Sequence, residues 1–125
     1  MKFAKVAFRI AAIWGFLIIT PLYFMFDVIP KKDPPPITHP AFFYGFVGVT
    51  FVWQLAFLFI STDPVRYRPL MIPAVLEKLG YSIPVIILVL QKRTQPFDLL
   101  WAATDLSLGV LFVLAYLRTP PRFAK

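Results

Sequence analysis

Four apolar runs, each close to twenty residues and separated by short polar segments, limit this chain to very few folds. They cover residues 10–26, 41–60, 70–90 and 97–117. A helix of about twenty apolar residues is long enough to cross a bilayer. A soluble alternative would have to hide all four runs inside a chain of 125 residues that is 59% hydrophobic and only 15% charged. Ordinary soluble domains are about 45–50% apolar and about 25% charged, and so short a chain has too little interior for the surplus. The sequence therefore predicts an all-α, single-domain integral membrane protein. Short connections make neighbouring helices antiparallel, which gives an up-down-up-down four-helix bundle.

Charge supports this reading. The formal net charge is +7, from thirteen Lys and Arg against six Asp and Glu. The basic residues cluster at the ends of the apolar runs, where snorkelling and headgroup contacts account for them. No basic stripe remains for a nucleic acid. Cysteine is absent, which removes disulfides, thiol catalysis and Cys-ligated metals. One side of the membrane collects eight Lys and Arg (Lys2, Lys5, Arg9, Arg66, Arg68, Arg118, Arg122, Lys125) and the other four (Lys31, Lys32, Lys92, Arg93). That imbalance predicts both termini in the cytoplasm.

Local signals refine the elements. The basic start followed by an apolar run resembles a signal peptide, but the run is long and no small-residue cleavage pattern follows, so an uncleaved first span with a bend at Pro21 is expected. Residues 27–40 hold five prolines, which remove amide donors and fix φ. They predict one long extended loop across the membrane face. Thr38 is the expected N-cap of the second span, with Pro40 in its first turn. Gly45 and Gly48 suggest close helix approach on that span. Pro84 predicts a kink in the third, and a frayed basic tail is expected from Arg118 onward.

Chemistry would have to reside in the few polar residues at membrane depth, because such groups are costly and face protein or water. At about 1.5 Å per residue, Glu77 and Gln54 fall at one level, and Arg9 at the edge of the first span reaches inward. Glu77 is expected to face the interior, bonded to Arg9 or Gln54, as a packing lock or as a proton-transfer or ligand group. Lys78, about 100° further around the helix, is expected to snorkel away. Asp105 falls in the opposite half, within reach of Thr20, Tyr23 or Tyr44; it is either a structural bond or one end of a relay or small amphipathic cavity. His39 precedes a proline near water and reads as a solvated loop histidine, with a ligand role as the alternative. Trp14, Trp53, Trp101 and the fourteen Phe either fill helix interfaces or line a pocket for an isoprenoid, sterol-like or pigment tail.

Two blocks carry a resemblance: PPITHP at 35–40, continued by FYGFVG at 43–48, and TDPVRYRPLMIPAVLEK at 62–78. They resemble a group of small bacterial four-span membrane proteins, similar in general architecture to the DoxX-like proteins. The resemblance implies a four-helix protein of the bacterial inner membrane and carries no catalytic motif with it. Two functions are expected on these grounds. One is an accessory or packing subunit of a larger membrane assembly, without catalysis, cofactor or metal, in contact with lipids and other membrane subunits. The alternative is a binder or enzyme for an apolar, lipid-like ligand, with a lipid or pigment held by the intramembrane carboxyls.

Overall fold

The computed structural model describes residues 2–121. It is an all-helical four-helix bundle, with no strand among those residues. The long helices are α1 (Lys2–Ile19), α3 (Pro40–Thr62), α4 (Met71–Leu90) and α5 (Asp98–Arg118); a single turn, α2 (Ile29–Lys32), interrupts the first connection. Each long helix, with its flanking 3₁₀ turn where it has one, is long and apolar enough to cross a membrane, which marks a multi-pass membrane protein. Only 17–33% of the residues in the most apolar window of each span are buried inside the bundle. The outer face carries Leu17, Phe24, Phe42, Leu90 and Leu117, all more than two-thirds exposed. A face so apolar would not stay monomeric in water; lipid covers it at no cost.

Since lipid tails are as apolar as leucine, helices in a bilayer associate through close packing and polar contacts. Small residues supply that packing here. Ala4, Ala7, Ala11 and Gly15 line up at intervals of three and four along α1 and are buried, as are Ala102 and Gly109 on α5. α1 packs along α3 and touches α5, and α4 lies along α5, while α3 and α4 meet at few points. Gly109 is where α4 and α5 approach closely: a Cβ there would lie 3.3 Å from the Lys78 Cβ. Gly45 and Gly48 do not serve the close approach expected of them. A Cβ on Gly45 would meet nothing within 4 Å, and one on Gly48 only the Tyr23 hydroxyl at 3.5 Å.

The half of the bundle nearest the chain termini is filled. Phe8, Phe57 and Phe112 are fully buried. Phe8 stacks on Phe112 at 4.1 Å between centroids, and Phe57 meets Phe112 edge-on at 5.0 Å. Such aromatic pairs add about 0.5–1.5 kcal/mol each beyond the area they bury. Met71, Ala74, Ile60 and Ala115 close the layer. At its rim, Arg68 donates from Nε to the carbonyls of Thr119 (2.7 Å) and Tyr116 (3.3 Å). The cation thereby satisfies orphan acceptors at the negative end of α5. Thr119 is buried and bonds Ala115 through its hydroxyl, so the chain is fastened at the point where fraying was expected; the rest of that tail, residues 122–125, lies outside the described residues.

Several local expectations change. α1 begins at Lys2, eight residues before the apolar run, because the polar residues that precede it lie on its outer side. The bend foreseen at Pro21 takes the form of a 3₁₀ turn over Thr20–Phe24. Residues 33–39 are non-helical as the prolines require, but α2 forms within the loop, with Pro30 in its first turn, where the missing amide costs nothing. His39, not Thr38, is the N-cap residue of α3, with no side-chain capping bond, and Pro40 opens the helix. α4 runs unbroken through Pro84.

Candidate functional site: a cavity on a charged floor

The half of the bundle away from the termini is hollow. A cavity of about 610 Å³ lies among the four long helices and the α1–α3 connection, within the range of about 300–1,000 Å³ that holds drug-sized ligands. Lys32, Asp33, Gln95 and Asp98 line it near α2 and the α4–α5 turn. Gln95 Nε2 donates to Asp33 Oδ1 at 2.7 Å and ties the first connection to the α4–α5 turn. Trp14, Leu22, Phe46, Phe97 and Trp101 form much of the wall. The deep end is polar: Gln54, Glu77, Lys78 and Asp105 meet there.

Lys78 organises that floor. It is 3% exposed, and its ammonium lies 3.6 Å from both Glu77 Oε2 and Asp105 Oδ1. These separations are ion-pair contacts, longer than hydrogen bonds. The ammonium also sits 5.0 Å above the Phe57 ring, so the charged layer rests directly on the aromatic core. Lys78 belongs to the small buried face of α4, with Met71, Ala74 and Ser82. This reverses the expectation that it snorkels away. The signal was in the spacing: Lys78 stands four residues from both Ala74 and Ser82, whereas Glu77 stands three from Ala74 and five from Ser82.

Arg9 is exposed on α1, because the buried Ala7, Phe8, Ala11 and Ala12 turn it outward. It is therefore not the partner of Glu77, and neither is Gln54. Gln54 is 1% exposed; its Nε2 donates to the Thr50 carbonyl at 2.9 Å, and its Oε1 has no hydrogen-bond partner. Its side chain lies against Gly15, where any Cβ would collide with it. Gly15 is thus required by Gln54, a dependence that no spacing rule reveals. Glu77 Oε2 also lacks a hydrogen bond.

Asp105 pairs with Lys78 and not with Thr20, Tyr23 or Tyr44. The two carboxyls expected in opposite halves share one ammonium, because the lysine side chain spans the offset between them. His39 is exposed and stands 5.3 Å from the Phe42 ring. No group of three His, Cys, Asp or Glu side chains able to hold a metal occurs among the described residues. Trp14 and Trp101 line the cavity; Trp53 instead packs near Phe57 and borders a shallow apolar groove on α3 with Gly48, Val49, Val52 and Ala56. Comparison with protein-family models, with curated proteins and with solved structures gave no match.

Proposed function

We propose that this protein binds an amphipathic small molecule inside its membrane bundle, with the apolar part between the aromatic walls and the polar group on the Glu77–Lys78–Asp105 floor. One observation carries the reading: the large cavity ends on a cluster of intramembrane charges. A purely structural ion pair has no need of a cavity, and a purely packing bundle has no reason to leave one half unfilled. We read the role as binding, because the floor groups are held to one another as ion pairs around Lys78. Trp14 and Trp101 provide the readout. In Trp53→Phe protein, an amphiphile entering the cavity should change their fluorescence, and Thr104→Phe, which fills the lining, should abolish the change. An unaltered response in Thr104→Phe would remove the proposal.

A second reading, the accessory subunit, draws support from the α3 groove, whose small residues and Trp53 suit a partner helix. Co-purification of a stoichiometric membrane partner, lost in Gly48→Leu, is its test. For either reading we place the chain in a bacterial inner membrane with both termini cytoplasmic, on the eight-to-four division of Lys and Arg. The end of the cavity beside α2 then lies on the outer side. Single cysteines at Pro35 and Arg66, in a chain that has none, should be labelled from opposite sides; labelling from one side refutes the orientation.

A further inference from the structure

We infer that the ligand is a cationic amphiphile whose protonated amine docks at the cavity floor. The inference rests on the binding reading above and names its ligand class. The first ground is charge. The chain as a whole carries +7, with six acidic residues, yet four of those six (Asp33, Glu77, Asp98, Asp105) line the cavity, against only Lys32 and Lys78. A cation-rich protein has thus gathered its carboxylates in one hollow. Low-dielectric walls focus such a field and raise the local concentration of counter-ions. Lys78 does not cancel it, because one ammonium stands between two carboxylates.

Independent support comes from unmet hydrogen bonds. Gln54 is 1% exposed and lines the cavity, and its Oε1, packed against Gly15, has no hydrogen-bond partner. The Nε2 bond to the Thr50 carbonyl fixes which end of the amide is left over. Glu77 Oε2, a second buried atom at the same floor, also lacks a hydrogen bond. Both are acceptors, so the missing group is a donor. Buried polar atoms are ordinarily satisfied, and an N⁺–H donor satisfies an acceptor more strongly than a neutral one. A carboxylate or phosphate head would meet two acceptors and a net negative field. An ammonium head brings donors to acceptors that the Lys78 ammonium, 3.6 Å from Glu77 Oε2, does not hydrogen-bond, and the Trp14, Tyr81 and Trp101 rings lining the cavity suit a cation as well as an alkyl tail.

The test uses one tail with three heads: decylamine, decanol and decanoate, titrated against Trp53→Phe protein in phosphatidylcholine nanodiscs at neutral pH. Decylamine should bind about tenfold or more tighter than either of the others. Glu77→Gln and Asp105→Asn should each erase most of that preference, whereas Asp63→Asn, a carboxylate outside the cavity lining, should keep it; a preference retained in the first two variants, or lost equally in all three, overturns the cation assignment. Equal or tighter binding of decanol or decanoate by the Trp53→Phe protein overturns the cation assignment and leaves the cavity reading standing. Binding of none of the three overturns both. Repeating the decylamine titration with phosphatidylethanolamine in the disc separates two sources of one chemistry: competition identifies a lipid amine, and its absence a free amphiphilic amine.

Discussion

Lys78 and Asp105 form an ion pair across the α4–α5 interface at 3.6 Å, although the Lys78 Cβ faces Gly109, one turn further along α5. The pair therefore runs obliquely. The four residues from Asp105 to Gly109 amount to about 6 Å of helix, which the lysine stem covers. This one side chain joins the level of Glu77 to that of Asp105 and sets the boundary between the filled half and the hollow half.

Removing the ammonium should be the most damaging change at the floor. Losing one partner of a buried ion pair costs about 3–5 kcal/mol. Here the carboxyl side chains retain 15% and 21% exposure, so Lys78→Met should cost less, about 2 kcal/mol. Asp105→Asn should cost less again, because Glu77 still faces the ammonium. In the double variant Lys78→Met/Asp105→Asn, the loss should be smaller than the sum of the two. Thermal unfolding in one detergent measures the cycle, and strict additivity would show that the pair contributes nothing.

Much of the fold is legible in the sequence, because lipid imposes a length and an apolarity that each run displays openly. The floor is less legible. Depth counting places Glu77, Gln54 and Asp105 by main-chain level, but it cannot follow a four-carbon stem, and Lys78 uses its stem to cross levels. Nor does counting register rotation: Arg9 lies at a usable height and on the wrong face. The proline content of residues 27–40 predicts only an extended loop, whereas Pro30 in a first turn favours a helix start, and α2 forms there.

The glycines should respond with opposite signs. At Gly15 a Cβ collides with Gln54, so Gly15→Ala should displace that side chain and cost about 1–3 kcal/mol as an overpacked site. Gln54→Ala in the same chain should recover much of the loss. At Gly45 a Cβ meets nothing within 4 Å, so Gly45→Ala should stabilise by about 0.5–1 kcal/mol through helix propensity alone. Detergent unfolding midpoints that moved together would refute the assignment of Gly15 as a steric requirement.

Lys92 occupies a position better suited to glycine. Its φ is 59°, in the left-handed region that costs a residue with a Cβ about 1–2 kcal/mol. The Lys92 amide donates to the Val89 carbonyl at 3.0 Å and the Arg93 amide to the Leu88 carbonyl at 2.9 Å, the two bonds of a Schellman cap closing α4. Lys92→Gly should keep both bonds, relieve the backbone and raise stability by about 1 kcal/mol. A lower unfolding midpoint in Lys92→Gly would mean that the charge, not the backbone, governs this position.

Arg68 should tolerate no substitute, including lysine. Its Nε bonds the carbonyls of Thr119 and Tyr116, and its guanidinium carbon lies 3.8 Å from the Tyr116 ring centroid. The planar group thus stacks and donates at once. Lysine is a point charge on a flexible stem and can replace one bond at most, without the stack. Hydrogen bonds from a charged donor contribute about 1.5–3 kcal/mol, so Arg68→Ala should lower stability by about 2 kcal/mol, and Arg68→Lys should recover less than half. Tyr116→Phe keeps the ring and should change little; Tyr116→Leu should lose the stacking contribution of about 1 kcal/mol. Hydrogen exchange localises the effect. The Thr119 amide, bonded to the Ala115 carbonyl at 3.0 Å, should exchange faster in Arg68→Ala while amides near Asp105 stay protected. Uniformly faster exchange along α5 would instead make Arg68 a determinant of the whole helix, and unchanged exchange at Thr119 would remove its role as the cap.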